Sequence, residues 1–459
     1  MATPTICAIA SGIGGGIGII RLSGRDVTSI AQRILRPWPD SPESHKLYYG
    51  QVVWPAPDRA DGASTPTGTE AIDQVLFTLM RGPRSYTGED VVEIHGHGGA
   101  ITLRRILEAC LSAGAEAAGP GEFTRRAFLA GKIDLTRAEA VASLLSAQSV
   151  QAARQAQRQL SGELGMRMTE LRRQVTSLLG DLEGLLDFPD LDEDPAILRR
   201  CRERLVELAT QLTSLGQSFR RGGKALATGI ELALLGRTNA GKSSLVNALS
   251  GSERVLVDAR PGTTRDFVEV SAEWDGVPVT LIDTAGERSD KTELEEQGLR
   301  LGQRRYREAD LALIVVDGKL GLGPDEQRLI ATLPESLPHL LVWNKTDQRD
   351  CQPAPDGAVA VSALNGWGLR ELRSRVLTEL AGSVTAQDEL LVTSARQAEG
   401  LQKAAGALQQ AEQVLARGEA TEMAAAELRI AQSRLREITG EDVSEAVLDA
   451  IFARFCVGK

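Results

Sequence analysis

At 459 residues the chain is long enough for two to four domains at about 100 to 200 residues each, which excludes a single small fold. With 42% hydrophobic and 25% charged residues the composition is that of a soluble globular protein. A net charge of -10 excludes a protein that coats nucleic acid through bulk charge, while leaving room for a local basic patch. Five scattered cysteines, none in a CxxC pair, suit neither a disulfide framework nor a zinc site. With no export signal and no apolar run approaching the ~18 residues of a membrane span, the expected place is the cytoplasm, with no membrane partner.

The N-terminal segment mixes short strands with a periodic stretch, Ile101 to Cys110, and reads as an α+β domain whose Pro55 to Thr69 loop is turn-rich and exposed. Its glycine run Gly12 to Gly18 resembles a dinucleotide fingerprint, but no register places glycines at G-x-G-x-x-G, so a Rossmann site is rejected. Proline is absent between Pro120 and Pro189 and after Pro355, and both stretches are expected to be helical. In the first, Leu164, Met168, Leu171, Val175, Leu178, Leu182 and Leu185 recur at spacings of four and three, the seam of a long helix packed on other helices. In the second, Ser394 to Leu415 and Thr421 to Ile438 are rich in strong helix formers.

Between these helical stretches the pattern changes to strands. Ile230, Leu232 and Leu234 alternate; Val268 to Trp274 and Val277 to Ile282 flank an Asp275-Gly276 turn; Leu311 to Val316, Leu340 to Trp343 and Ala358 to Val361 read as short buried strands. The fold expected is a multidomain one: an α+β N-terminal domain, an α-helical bundle, and a doubly wound α/β P-loop domain inserted into the helical domain.

Gly236 to Ser243 matches GxxxxGK[ST] directly after a strand and before the helix Ser244 to Leu249. Glycines let successive N–H groups face the phosphates, Lys242 reaches the outer phosphates, and Ser243 offers a hydroxyl to Mg²⁺. Asn239, Ala240, Gly241 and Ser244 complete the loop. Asp283-Thr284-Ala285-Gly286 ends another strand, with a carboxylate behind the Mg²⁺ shell and the Gly286 N–H near the γ-phosphate. Asn344-Lys345-Thr346-Asp347 ends a third. The Asp347 carboxylate can accept from guanine N1–H and its exocyclic amine, a donor pair that adenine lacks, and Ser362-Ala363 closes the base pocket through backbone N–H groups. Together these point to GTP.

The motif set resembles that of the TRAFAC-class GTPases. Pro261-Gly262-Thr263-Thr264-Arg265-Asp266, Ser85-Tyr86-Thr87-Gly88-Glu89-Asp90, His95-Gly96-His97-Gly98-Gly99, Pro120-Gly121-Glu122-Phe123-Thr124 and the terminal Phe455-Cys456-Val457-Gly458-Lys459 narrow the resemblance to the MnmE (TrmE) family of tRNA-modification GTPases, over the whole chain. That resemblance implies a cytoplasmic homodimer that works with the FAD-dependent MnmG in a heterotetramer-type complex. The pair would install aminomethyl-type groups, such as carboxymethylaminomethyl, on C5 of the wobble uridine of certain tRNAs. It implies a tetrahydrofolate-binding and dimerisation domain at 1–121, helical segments at 122–225 and 383–459, and a G domain at 226–382.

By position in the matching motifs, Ser243 and Thr264 would ligate Mg²⁺. Asn239 and the loop Asp258-Ala259-Arg260-Pro261-Gly262-Thr263 would contact GTP and hold K⁺, the cation positions being Asn239, Asp258, Arg260 and Thr263. A neutral residue is usual at the place of Asp258, which makes its side chain a less certain ligand than Asn239. Reasoning from other GTPases nominates Glu287 as the water-positioning residue, whereas the resemblance points to Glu295 as catalytic beside Lys242. Arg21, Glu93, Lys132 and Lys459 match the family's positions for 5-formyl- or methylene-tetrahydrofolate.

Other residues stay open between two readings. His95-x-His97 is half of a metal site or none, and Cys456 is a nucleophile or a packing residue. The acidic run Asp187 to Asp194 takes divalent ions or is a solvated loop. Arg199, Arg200, Arg202, Arg204, Arg220, Arg221 and Lys224 contact tRNA phosphates or form solvated faces. A competing function, a GTP-switched assembly factor that binds ribosomal RNA, would call for an appendage such as a GXXG-bearing KH domain, and the C-terminal stretch has none.

Overall fold

The computed structural model describes residues 3–55, 70–187, 195–251, 268–283, 309–335, 337–381 and 390–459. Two compact units emerge, one of Met1–Ala142, Leu160–Gly165 and Thr439–Lys459, the other of Ser143–Gln159 and Met166–Ile438.

The first unit is built on a seven-stranded sheet in the order β3-β4-β5-β6-β2-β1-β7. Its strands are β1 Ile6–Ile9, β2 Ile17–Ser23, β3 Leu35–Arg36, β4 Leu47–Val53, β5 Ala71–Met80, β6 Val91–His97 and β7 Glu116–Ala117. Ile20 and Leu22, Val75, Phe77 and Leu79, and Val92 and Ile94 point to one face. There they pack against the helices Val27–Ile34 and Ala100–Ser112, the second of which bears out the periodicity of Ile101 to Cys110. The two-residue alternation sends Arg21, Leu76, Glu93 and His95 to the opposite face. Strands β1 and β2 pair antiparallel with no helix between them, so the Gly12 to Gly18 run joins neighbouring strands and not a βαβ unit. Residues 56–69, most of the turn-rich loop expected from the sequence, lie outside the described residues.

Helix Glu122–Leu129 follows β7, and Leu135 and Ala138 of the next helix join Leu448, Phe452 and Phe455 in a small apolar cluster. That cluster seats the C-terminal helix Glu445–Phe452 in this unit. The tail beyond it runs beside the start of helix Glu122–Leu129, with Val457 bridged antiparallel to Pro120.

In the second unit the proline-free stretches are helices, as expected: Val150–Leu160, Glu163–Asp187, Ala395–Ala416 and Thr421–Thr439, joined by Pro195–Ser218. Met168, Leu171, Val175, Leu178 and Leu182 are each at 0% exposure, so the seam read from the sequence is the packed face. The chain leaves this bundle through a single π-helical turn, Phe219–Gly223, where Gly222 takes φ 150. It returns at Leu391–Thr393, which buried polar groups tie to the exit at Ser218 and to helix Val150–Leu160. Val392 N donates to Ser218 Oγ at 3.0 Å, and Gln159 Nε2 donates to Leu391 O at 2.8 Å.

Between the crossings lies a six-stranded sheet, β13-β12-β11-β8-β10-β9. Its strands are β8 Ile230–Leu235, β9 Val268–Trp274, β10 Val277–Asp283, β11 Leu311–Asp317, β12 His339–Asn344 and β13 Val359–Ala360. All neighbours are parallel except β9, which pairs antiparallel with β10 across Asp275 and Gly276. Both turn residues have positive φ, 48 and 84, the geometry that a two-residue hairpin demands. The first strand, β8, sits between β10 and β11, so the winding reverses beside it. Ligands of doubly wound sheets bind at the carboxyl ends of the strands at such a point.

Candidate functional site

Three strand ends meet there. Strand β8 runs into the phosphate loop and then into helix Lys242–Ser250, as the GxxxxGK[ST] spacing requires. The turn depends on backbone that L side chains rarely adopt: Gly236 has φ 143, Asn239 φ 67 and Gly241 φ 96. A Cβ on Gly241 would stand 2.3 Å from Asn344 Nδ2, and one on Gly236 would stand 2.3 Å from Val315 O. These two positions therefore need glycine for space as well as for φ.

Lys242, only 7% exposed, curls back over the loop and donates to the carbonyls of Gly236 at 2.7 Å and Arg237 at 2.9 Å. Burial lowers its pKa from the ordinary lysine value, and the Asp283 charge opposes the shift. Asp283 closes β10 at 4% exposure and accepts from the Ser243 hydroxyl at 2.8 Å. This pairs two hard oxygen donors at the start of the helix, chemistry suited to Mg²⁺. Arg237 is committed elsewhere. Its guanidinium donates to Asp325 at 2.7 Å and pairs with the buried Glu326 at 3.2 Å, both on helix Pro324–Thr332.

Two of the residues expected to recognise the base, Asn344 and Lys345, are tied to the same loop. Asn344, 1% exposed at the end of β12, donates from Nδ2 to Ala240 O at 2.9 Å and accepts from Ala363 N at 3.1 Å. Lys345 donates to Asn239 O at 2.7 Å. Asp347 accepts from the Ser362 hydroxyl at 2.6 Å and its residue is exposed, leaving the carboxylate accessible. Ser244 also lies exposed on the first helical turn. The residues Asp258, Ala259, Arg260, Pro261, Gly262, Thr263, Thr264, Thr284, Ala285, Gly286, Glu287 and Glu295 lie outside the described residues.

The first unit holds a second polar cluster. Arg21 on β2 stands opposite Glu93 on β6, and Arg21 Nε reaches Glu93 Oε1 at 2.8 Å. The guanidinium carbon lies 5.7 Å from the ring centres of both Tyr86 and Phe123, and Tyr86 is held by a 2.9 Å hydrogen bond between its hydroxyl and Thr124 Oγ1. Phe123 also ties in the tail, its backbone N–H donating to Lys459 O at 3.2 Å. Gly458 makes that path possible at φ 95, since a Cβ there would lie 2.0 Å from Ile9 O. Lys132 donates to Pro83 O at 2.7 Å, on the loop that carries Tyr86. Arg21, Glu93, Lys132 and the Lys459 backbone are thus all held by the Pro83–Tyr86 loop, helix Glu122–Leu129 or each other. Tyr86 and Phe123 are partners of Arg21 that its own sequence neighbourhood does not reveal; the available signal is that they lie in the motifs Ser85–Asp90 and Pro120–Thr124.

The open alternatives narrow as well. His95 Nε2 faces Glu93 Oε2 at 3.3 Å, whereas His97 Nδ1 pairs with Asp73 at 2.7 Å, so the two histidines serve different carboxylates. Among the described residues no group of three or more His, Cys, Asp or Glu is arranged to hold a metal ion. Cys456 is exposed, and its carbonyl accepts from Gly121 N at 3.4 Å. Several candidate tRNA contacts are ion-paired: Arg202 with Glu412 at 2.8 Å, Arg204 with Asp181 at 2.6 Å and Lys224 with Asp310 at 2.8 Å.

Comparison with known proteins agrees with this arrangement. A family model described as the MnmE helical domain matches residues 135–456, and one described as the GTP-binding protein TrmE N-terminus matches residues 5–132. The tRNA modification GTPase MnmE of Symbiobacterium thermophilum is 41% identical over 476 residues, covering 100% of both chains. That of Chloroflexus aurantiacus is 43% identical over 467 residues, covering 99% of each, and that of Geobacter sulfurreducens 39% identical over 464 residues, covering 99% of each. With its N-terminal and helical domains matched in order, a GTP-type phosphate loop between the helical segments, and identity sustained along its length, the chain belongs to the MnmE family of tRNA-modification GTPases.

Proposed function

We propose that GTP hydrolysis by this chain is activated by K⁺ and drives a folate-dependent modification of tRNA. With an FAD-dependent MnmG-type partner, the reaction adds an aminomethyl-type group, carboxymethylaminomethyl, to C5 of the wobble uridine. The observation that carries the cation reading is the commitment of Arg237 to Asp325 and Glu326. An arginine so engaged does not meet the charge that develops on the transferring phosphoryl group, a contribution worth ~10³ to 10⁵ in rate where a finger supplies it. Asn239 and the Asp258, Arg260 and Thr263 positions would hold K⁺ in that role, with Glu295 orienting water.

Mg²⁺ would be held by Ser243 and Thr264 with Asp283 behind, and it would neutralise phosphate charge. Lys242 supplies a fixed cation at the outer phosphates, and Asn344, Asp347, Ser362 and Ala363 select guanine. In the other unit Arg21 and Glu93 offer a cation and a carboxylate side by side, a pairing suited to the acceptors and donors of a tetrahydrofolate, with Lys132 and Lys459 for its glutamate tail. The homodimer expected of the 1–121 segment is supported by the open sheet face, where Leu47, Tyr49 and Leu76 are exposed by 55%, 66% and 44%. The helical segments would span 122–225 and 383–459, with the G domain at 226–382 between them in the chain. Among the described residues no helix is long and apolar enough to cross a membrane. The proposed place of action on tRNA is the cytoplasm.

Single-turnover GTP hydrolysis in KCl and in NaCl at matched ionic strength tests the cation. The rate should be at least a hundredfold higher in K⁺, and Asn239→Ala should remove the difference. Equal rates would take K⁺ out of the mechanism. For the tRNA reaction, mass spectrometry of wobble nucleosides from cells lacking the protein should show loss of the C5 substituent.

A further inference from the structure

Asp317 ends β11 and is paired in register with Asn344 at the end of β12, which places its carboxylate beside the neighbouring Lys345. Lys345 Nζ donates to Asp317 Oδ2 at 2.6 Å and to Asn239 O at 2.7 Å. The two charged side chains are only 15% and 28% exposed. Partial burial makes such a bond stronger than a surface ion pair. Asn239 needs the support: it is a non-glycine residue at φ 67, and Lys345 itself stands at φ 65.

The aspartate is itself oriented by the turn that follows it. Its Oδ1 accepts from Lys319 N at 3.0 Å, and its main-chain oxygen accepts from Leu320 N at 3.0 Å and Gly321 N at 2.9 Å. Burial alone would raise the carboxyl pKa, but the hydrogen bonds from Lys345 and the Lys319 amide prevail and hold it below the ordinary value. The carboxylate is therefore charged near neutral pH. On the other side of the loop Arg237 is pinned by Asp325 and Glu326, which follow Asp317 in the same stretch of chain.

We infer that Asp317 is a positioning residue of the GTPase site: by orienting Lys345 on the Asn239 carbonyl, it keeps the phosphate loop in the turn that receives the phosphates. It touches neither phosphate nor base, and its effect reaches the nucleotide only through Lys345. The inference rests on the GTPase activity and not on the cation or folate readings.

A double-mutant cycle on the full-length chain tests it, with release of a fluorescent N-methylanthraniloyl-GDP followed by stopped flow. Asp317→Asn retains the Oδ1 acceptor for Lys319 N but turns an amide donor toward the lysine. Release should quicken about tenfold in Asp317→Asn and at least as much in Lys345→Met. If Asp317 acts through Lys345, the double variant should release no faster than Lys345→Met and, in the absence of nucleotide, should melt no lower than Lys345→Met. Parental release from Asp317→Asn would overturn the inference. So would a double variant whose acceleration is the product of the two single ones, which would mark a separate structural role. Should Asp317→Asn not fold, Asp317→Ser keeps a turn acceptor, and the same cycle applies.

Discussion

In the phosphate loop Gly241, Lys242 and Ser243 are chain neighbours, and most of what they offer a ligand is backbone shaped by glycine. In the Arg21 cluster the partners come from β2, β6, the Pro83–Tyr86 loop, helix Glu122–Leu129 and the C-terminal tail, and what they offer is side chains. The first kind of site is preformed by local conformation and then braced by distant residues, Asn344 and Lys345 among them. The second exists only when strand register and tail docking are both correct. Damage to one should therefore act through conformation, and damage to the other through the loss of a single partner.

The largest effect should come from breaking the conformation itself. Gly241→Val places a branched side chain where a Cβ already meets Asn344 Nδ2 at 2.3 Å and φ is 96. GTP affinity measured by calorimetry should fall by more than ~10³, while folate binding is untouched. Asp347→Asn keeps the loop and changes only base recognition. Its affinity for GTP should fall about a hundredfold and that for xanthosine triphosphate should rise, since the donor and acceptor are exchanged between the two bases.

In the dispersed site single deletions should cost less. Arg21→Ala or Glu93→Ala should weaken 5-formyl-tetrahydrofolate about ten- to a hundredfold in equilibrium binding and leave GTP affinity at the parental value. Parental folate affinity in both would remove this cluster from folate recognition. Gly458→Ala sharpens the contrast, because it alters no functional side chain. The clash with Ile9 O should displace the tail and lower folate affinity several-fold.

The smallest effect concerns pH. Asp317 is held below its ordinary value of 3.8, so its stabilisation is complete above that value and is lost as pH falls through the folded-state pKa. The gap in melting temperature between the parent and Asp317→Asn should be constant near neutrality and close below about pH 4. A gap that widened on acidification would contradict the charge assignment.

Much of this was legible before any coordinates. The buried seam from Met168 to Leu182 is a matter of helical period, the β9–β10 hairpin of an Asp-Gly pair between alternating runs, and the phosphate loop of glycines at set spacing. Each depends on residues within one or two turns of one another, so local physics suffices. Arg21, Glu93, Lys132 and Lys459 are marked out only by resemblance, because nothing in their own sequence neighbourhoods distinguishes them from ordinary surface charges.

What only the tertiary structure decided is who faces whom. Strand register set Arg21 against Glu93 and Asp317 beside Asn344, and helix packing turned Arg237 onto Asp325 and Glu326. A further clue to Asp317 was present in the chain, since a polar residue ends β11 just as Asp283 ends β10 and Asn344 ends β12. Its partner was not. A carboxylate's role depends on which cation lies within about 3 Å, and that distance is fixed by hydrogen-bond ladders between strands far apart in sequence.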